Sequence, residues 1–433
     1  MLQSLYHYLE QMDSFFWGYI GFFLIFTLGG YLSFKTRFFQ IRALPLLLKT
    51  LWSSIRHKNN DDRGLHPIKV LFASVGSMVG IGNLVGIVTA VQIGGPGALF
   101  WTWIAALGGS LIKYSEVYLG LKYRVENDRG GYDGGPMFFL RQAFSNKYIP
   151  TIVCFLLCLY GVEIYQFSVI TESIVTNWSI PRYYVVAGLL GMILYAGMGG
   201  ISRVGKISGY LVPSFIVLYM SMGLWVIFQN LSLMPSLLGQ VFVSAFTGQA
   251  AIGGFAGSTI LLAIQHGMAR AAYSADIGIG NDSIIQSESR IVDPALQARL
   301  AVCGVFMDNL VCTMSILIVL VTGVWMAPNL SASHMVQTAL SQHFPMMDVF
   351  IPLFLLILGF TTIIAYFCVG IKCARCLFPK RGRRLYFLYA SLILPAFSFL
   401  DQSQALLMMS IAGSLLLIIN LTGIYRLRKH VEF

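Results

Sequence analysis

The chain has 433 residues, 57% of them apolar and only 11% charged, with 29 Lys and Arg against 18 Asp and Glu and a mean hydropathy of +0.73. A soluble domain of this size carries about a quarter charged residues, which argues against a water-soluble globule. The apolar runs are continuous rather than alternating, which argues against a closed β-barrel and for a helical membrane protein.

Reading apolar runs between charges and turn signals predicts eleven spans. They lie near 15–34, 67–94, 97–121, 150–176, 183–199, 207–230, 249–277, 299–325, 346–370, 385–400 and 404–425. The first lacks a basic flank before it and a small-residue cleavage site after it, so it reads as a retained helix and not a cleaved signal. From Lys69 to Lys113, and again from Lys206 to Arg270, no intervening residue is Asp, Glu, Lys or Arg. Each stretch has room for two spans of about 20 residues. Gly94-Gly95-Pro96-Gly97 supplies the turn in the first, and Pro235-Ser236 with Thr247-Gly248-Gln249 in the second.

Cytoplasmic loops accumulate Lys and Arg. Placing the N-terminus outside puts Lys35, Arg37, Arg42, Lys49, Arg56, Lys58 and Arg63 in one inner loop, with the 122–149 loop, Arg203, the 278–298 loop, Lys372 to Arg384 and the tail Arg426-Leu427-Arg428-Lys429. Only Arg182 then lies outside. The formal charge of +11 therefore reads as topology and contact with lipid headgroups. A nucleic-acid partner would need a basic face on a soluble module, which is lacking. Cys154, Cys158, Cys303, Cys312 and Cys368 fall within spans as small apolar groups, and Cys373-Ala-Arg-Cys376 is a lone CxxC without a second ligand pair.

Two spans carry glycine clusters. One is Gly76-Ser-Met-Val79-Gly80-Ile81-Gly82-Asn83-Leu-Val-Gly86, the other Gln249-Ala-Ala-Ile-Gly253-Gly254-Phe255-Ala256-Gly257-Ser258-Thr259. Small-residue packing seams give the same composition. Position favours breaks instead. With the first span set aside, the clusters open the first and sixth of ten remaining helices, which enter from opposite sides. Two five-helix halves of inverted topology produce this, with the binding site between their broken helices. The expected organisation is 1–66 as an extra helix and basic loop, 67–230 and 231–425 as the two repeats, and 426–433 as a cytoplasmic tail. At a break, free N–H groups of Ile81, Gly82 and Asn83 suit a carboxylate, while carbonyls near Gly76 and Val79 suit a cation. Glu163 and Asp308, carboxylates within spans, are candidate proton sites, a structural hydrogen bond being the bland alternative. His266 reads as a packed residue, and Lys113, Glu116 and Arg270 as snorkelling or mutually paired groups near helix ends.

These residues resemble the alanine/glycine:cation symporter family, also called sodium:alanine symporters. The resemblance runs through Val79-Gly80-Ile81-Gly82-Asn83, Gly94-Gly95-Pro96-Gly97-Ala98-Leu99-Phe100-Trp101, Lys113-Tyr114-Ser115-Glu116 and Gly134-Gly135-Pro136-Met137. It resumes at Gly248-Gln249-Ala250-Ala251, Gly253 to Gly257, Gly267-Met268-Ala269-Arg270 and Val305-Phe306-Met307-Asp308. It frames most of 67–325 and is loose over 346–425. It implies an all-α, eleven-helix protein with a LeuT-like 5+5 core and one extra N-terminal helix. It implies no enzyme activity, but symport of a small neutral amino acid such as alanine or glycine with Na⁺ as coupling ion and H⁺ as the alternative. No obligatory protein partner follows, and a prokaryotic cell membrane is the implied location. Thr361 and Thr362 would complete a Na⁺ site with carbonyls of Gly76 and Val79, and Gln166, Thr362, Tyr366, Phe255 and Gly257 would line the substrate pocket. The chain departs from the family pattern at Tyr366 (tryptophan), Ile81 (a hydroxylated residue), Glu163 (asparagine) and Ser274-Ala275-Asp276 (Ser-Asn-Glu). Those departures keep a proton-coupled carrier of another solute, or a sensor without transport, as alternatives. An embedded enzyme would need a catalytic constellation such as HExxH or GxSxG, and neither occurs.

Overall fold

The computed structural model describes residues 2–42, 45–46, 49–50, 52, 63–127, 130–249, 257–327, 330–399 and 402–433. It is helical almost throughout. Among the described residues, the one paired ladder is a short hairpin, β1 (Val125–Glu126) with β2 (Tyr132–Asp133), in the register Val125 to Asp133 and Glu126 to Tyr132.

Helix α1 (Leu2–Phe15) continues through a π-helical turn, Phe16–Gly21, into α2 (Phe22–Lys35), and α3 (Phe39–Arg42) follows. Next comes the first glycine-rich span. Its first half, α4 (Pro67–Met78), starts with Pro67 behind His66, whose Nδ1 accepts the Ile68 N–H at 3.3 Å. Its second half, α5 (Val88–Gly94), follows a 3₁₀ turn at Ile81–Asn83, and the two halves are bent by 56°. Then come α6 (Ala98–Lys122), α7 (Pro136–Ala143), α8 (Tyr148–Tyr160), α9 (Ile164–Trp178), α10 (Arg182–Met198) and α11 (Gly200–Gln229).

The second half of the chain holds α12 (Met234–Thr247), α13 (Ile260–Ser274), α14 (Asn281–Gln286), α15 (Pro294–Val321), α16 (Ala332–Ser341), α17 (Met347–Leu377), α18 (Gly382–Ser398) and α19 (Gln402–Arg426).

Among the described residues, six helices can cross a membrane by length and composition: Tyr6–Lys35, Tyr148–Trp178, Gly200–Gln229, Pro294–Val321, Met347–Leu377 and Gln404–Arg426. The bent pair Pro67–Met78 and Ile81–Gly94 makes a seventh. The chain is thus a multi-pass membrane protein. The other expected spans coincide with helices that are shorter or more polar. Arg182–Met198 and Gly382–Ser398 have 17 residues each, and α6 carries Trp101, Trp103, Lys113 and Glu116. Helix α12 lies where a connection was expected. Its 14 residues begin with Pro235 at an N-terminal position and reach about 21 Å, too short to span alone.

Helix α6 packs on α15, α13 and α2; α11 packs on α4 and α17; α17 also packs on α8, α9 and α18. Glycine permits the tightest crossing of the extra helix. A Cβ on Gly29 would fall 2.9 Å from the backbone of Gly108, so α2 lies directly on α6.

Candidate functional site

The site begins with the fate of the helix ladder at Val79. Met78 is the last helical residue, Val79 turns to ψ 88°, and Gly80 is extended at φ −126°, ψ −163°. Any residue adopts that backbone, so φ does not call for glycine at 80. Space does: a Cβ there would sit 2.7 Å from Thr362 Oγ1 and 3.0 Å from Gln166 Oε1. Helices α17 and α9 therefore close on the break from two sides.

Broken helices must re-satisfy their freed polar groups. The Gly80 N–H donates to Asn83 Oδ1 at 2.8 Å, and the Ile81 N–H to Gln166 Oε1 at 3.4 Å. Asn83 then donates from Nδ2 to Asp308 Oδ1 at 2.6 Å, and Ser274 Oγ donates to the same oxygen at 2.9 Å. The break is thus tethered to α15 and to the end of α13. Asn83 is wholly buried, and its side chain is a structural strut. Asp308, a candidate proton site in the sequence, is 2% exposed and has hydrogen-bond donors on two other elements.

On the cation side, the Thr362 hydroxyl is 3.0 Å from the Gly76 carbonyl and 3.0 Å from that of Leu358. Thr361 bonds back to Ile357 and Leu358 at 3.0 and 2.9 Å. If both protons rest on helix carbonyls, both hydroxyl oxygens retain lone pairs for a cation. Gly76 faces this pair: its Cβ would fall 3.5 Å from Thr361 Cβ and 2.6 Å from Ser208 Oγ. The Ser208 hydroxyl is buried without a hydrogen-bond partner. Sequence reasoning missed it, because a Ser at the start of the 207–230 span looks like an ordinary helix-end residue.

Glu163 occupies an interruption between α8 and α9. It is left-handed at φ 52°, ψ 48°, 3% exposed, and its Oε2 has no hydrogen-bond partner. A β-carbon-bearing residue held in that region stores strain of the order of 1–3 kcal/mol, a feature that clusters at functional sites. Tyr366, one turn beyond Thr362, packs against Tyr160 with ring centroids 5.4 Å apart and reaches toward Asp276. Thr362, Gln166, Gly80 and Asn83 thus meet, while Tyr366 and Glu163 form a neighbouring buried cluster.

At the second glycine cluster, Phe255 with Gly253 and Gly254 lies outside the described residues. Its flanks are ordered: Gln249 and Ser258 exchange backbone hydrogen bonds of 2.9 and 2.7 Å between Gly248 at φ 76° and Gly257 at φ 93°. Both glycines occupy the left-handed region, where other residues are strained. Helix α13 starts beyond them, with Thr259 Oγ1 accepting the Leu262 N–H at 3.2 Å. The helix is therefore not continuous from Thr247 to Ile260.

At the basic end of α17, a polar cavity of about 480 Å³ is lined by Cys368, Lys372, Asp133, Glu288 and Arg383 among others. Lys372 spans it, 3.1 Å from Asp133 and 2.7 Å from Glu288. Among the described residues, no group of three or more His, Cys, Asp or Glu side chains could hold a metal ion.

Comparison with known proteins matches the "Sodium:alanine symporter family" over residues 2–432. An uncharacterized transporter of Haemophilus influenzae is 31% identical, with 97% of this chain and 93% of the relative covered. The sodium/alanine symporter AgcS of Methanococcus maripaludis is 28% identical, covering 87% and 84%. Among solved structures, that of MhsT in complex with L-phenylalanine, a LeuT-fold transporter, superposes with a TM-score of 0.57 at 14% identity, covering 84% of this chain and 89% of that one.

Proposed function

Because the chain belongs to the sodium:alanine symporter family, whose members are transporters and not enzymes, we propose that it couples Na⁺ entry to uptake of a small neutral amino acid by alternating access. The observation that carries this reading is the break at Val79–Asn83. Its carbonyl end meets the Thr362 hydroxyl at Gly76, and its N–H end meets Gln166 at Ile81. One end of such a break suits a cation and the other a carboxylate. In this reading Na⁺ is held by carbonyls of Gly76 and Val79 with the hydroxyls of Thr361 and Thr362. The amino-acid carboxylate lies on the N–H groups of Ile81 to Asn83, in place of the long 3.4 Å contact from Gln166. Gln166, Thr362, Tyr366, Phe255 and Gly257 bound the side chain of the solute. The cavity at Lys372 is its route on the basic, cytoplasmic side.

The two repeats, 67–230 and 231–425, supply one broken helix each, and the eleven-span topology places the N-terminus outside and the C-terminus inside. Glu163 supports a second reading. A buried carboxylate with an unpartnered oxygen suits a proton as coupling ion in place of Na⁺, or beside it.

The test is uptake of radiolabelled L-alanine and glycine into proteoliposomes under an inward Na⁺ or an inward H⁺ gradient. Na⁺-driven uptake is expected to fall at least tenfold in Thr362→Ala and further in the Thr361→Ala, Thr362→Ala double variant. Uptake driven by H⁺ alone and lost in Glu163→Gln moves the coupling to that carboxylate. No uptake of either amino acid by folded protein overturns the substrate assignment.

A further inference from the structure

A second polar cluster lies in the segment from Ala275 to Ile291, which links α13 to α15 through α14. This segment is buried along most of its length. Its backbone is held by side chains of two helices, α6 and α19, and of the turn after α6. Lys113 Nζ donates to the Asp276 carbonyl at 2.8 Å, and Asn420 Nδ2 to the Ile279 carbonyl at 2.6 Å. Arg124 donates to the carbonyls of Ser287, Ser289 and Ile291. Packed in this way, the segment plugs the basic end of the molecule between α6, α19 and the start of α4, where Leu65 pairs with Glu288 and Arg290.

The plug carries more acid than base into the interior. Lys113, Glu116 and Asp282 are 0% exposed and Asp276 is 2% exposed. Lys113 Nζ lies 3.8 Å from Asp282 Oδ2, and Glu116 Oε1 accepts the Ser283 N–H at 3.3 Å. Beyond these contacts Glu116 Oε2, Asp276 Oδ2 and both Asp282 oxygens lack a hydrogen-bond partner, as do both amide atoms of the fully buried Asn281. One ammonium against three ionised carboxylates leaves a net charge of −2 in a dry interior. Each uncompensated buried ion costs several kcal/mol.

The surrounding elements do not supply the missing positive charge. Helix α17 presents the Tyr366 hydroxyl to Asp276, the interruption between α8 and α9 presents Glu163, α8 and α13 present Tyr160 and Tyr273, and α15 presents Asp308. Arg124 is committed to carbonyls, Lys372 to Asp133 and Glu288, and Arg299 faces Tyr114.

We propose that Glu116 and Asp276 form a proton-binding site beside the buried Lys113–Asp282 pair, which holds protons while the plug is packed and releases them when water enters. Two protons bring the cluster to neutrality. Protonation also removes the charge from the orphaned oxygens Glu116 Oε2 and Asp276 Oδ2, and a protonated carboxyl donates where a carboxylate only accepts.

The test is infrared spectroscopy on the full purified chain at neutral pH, reading the C=O stretch of protonated carboxyl groups. The expected result is a band in the wild type that weakens in Asp276→Asn and in Glu116→Gln, with the exposed Glu10→Gln as the unchanged control. A wild-type spectrum without that band overturns the proposal, as does an equal band in folded variants. Where a variant does not fold, the wild type decides alone. Denaturation in weakly buffered neutral solution must release protons to an indicator dye, and no net release sinks the idea. These readouts do not depend on amino-acid transport, so they stand or fall apart from the symport reading.

Discussion

Asn83 shows how one side chain replaces a stretch of helix ladder. Its Oδ1 accepts the Gly80 N–H and its Nδ2 reaches Asp308, so a single amide stitches the break to a neighbouring helix. Replacing it by Leu, of similar volume, leaves a buried N–H and a carboxylate oxygen without this partner. The expected cost is about 2–5 kcal/mol of stability, by the usual penalty for orphaned buried groups. Asn83→Asp should be as damaging, because two carboxylates would then meet at 2.6 Å. Thermal unfolding in detergent measures both, and a melting temperature within a degree of wild type in either variant refutes the strut. At this scale the sequence was partly legible. Gly80 and Asn83 stand out because neither is expected in an apolar span, whereas Thr362 is reached only through the family resemblance. Ser208 was not legible, because its role follows from which face of α11 meets Gly76, a tertiary fact without a local signature. The direction in which Asn83 works was also hidden, since spacing does not say whether an amide faces solute or helix.

Elements explain why some expected spans and the observed helices part company. The continuous apolar run at 150–176 gives no sign that Gly161 and Glu163 interrupt it, since a carboxylate within a span reads as a candidate proton site and not as a break. In the sequence Pro235-Ser236 signals a turn between spans, whereas in the fold Pro235 sits in the first turn of a helix. Least legible was the plug. In the sequence Lys113, Glu116 and Arg270 lie near helix ends, where snorkelling or mutual pairing is the ordinary expectation, yet Lys113 and Glu116 turn inward to hold a buried segment. The grip of Arg124 on that segment is testable. Its Nη1 lies 2.6 Å from the Ser289 carbonyl and its Nη2 2.7 Å from that of Ile291, a fork that Lys cannot reproduce. Arg124→Lys should cost about 2–4 kcal/mol locally, from two or three charge-assisted hydrogen bonds lost or weakened. Amide hydrogen exchange across 281–291 is then expected to accelerate at least tenfold, with Gln402–Arg426 unaffected. Uniform acceleration of both segments would mean that Arg124 supports the whole bundle and not the plug.

For the whole molecule, the basic residues argue orientation once the spans are set out in sequence, because charge asymmetry between loops acts on the chain as it inserts and needs no tertiary contact. The helices then fix which loops share a side. The loop after α17 and the loop before α16 lie at opposite ends of spans that pack together, since α16 packs on both α15 and α17. If the N-terminus is outside, Lys380 in the first loop faces the cytoplasm and Ser331 in the second faces outward. Both are exposed. The seven native cysteines are free, and Cys376 alone among them is exposed, so a Cys376→Ser background leaves little for a charged, impermeant maleimide to label. In that background Lys380→Cys should react in inside-out vesicles and be protected in right-side-out ones, with Ser331→Cys giving the reverse. Reversal of both would invert the orientation while keeping the fold. Labelling of both from one side would break the assignment of α17 as a single crossing, and with it the placing of Thr361 and Thr362 at mid-depth beside the broken helix. The charge asymmetry makes the first pattern the expected one: an inverted chain would export the cluster Lys380, Arg381, Arg383 and Arg384 together with the tail at Arg426, Arg428 and Lys429.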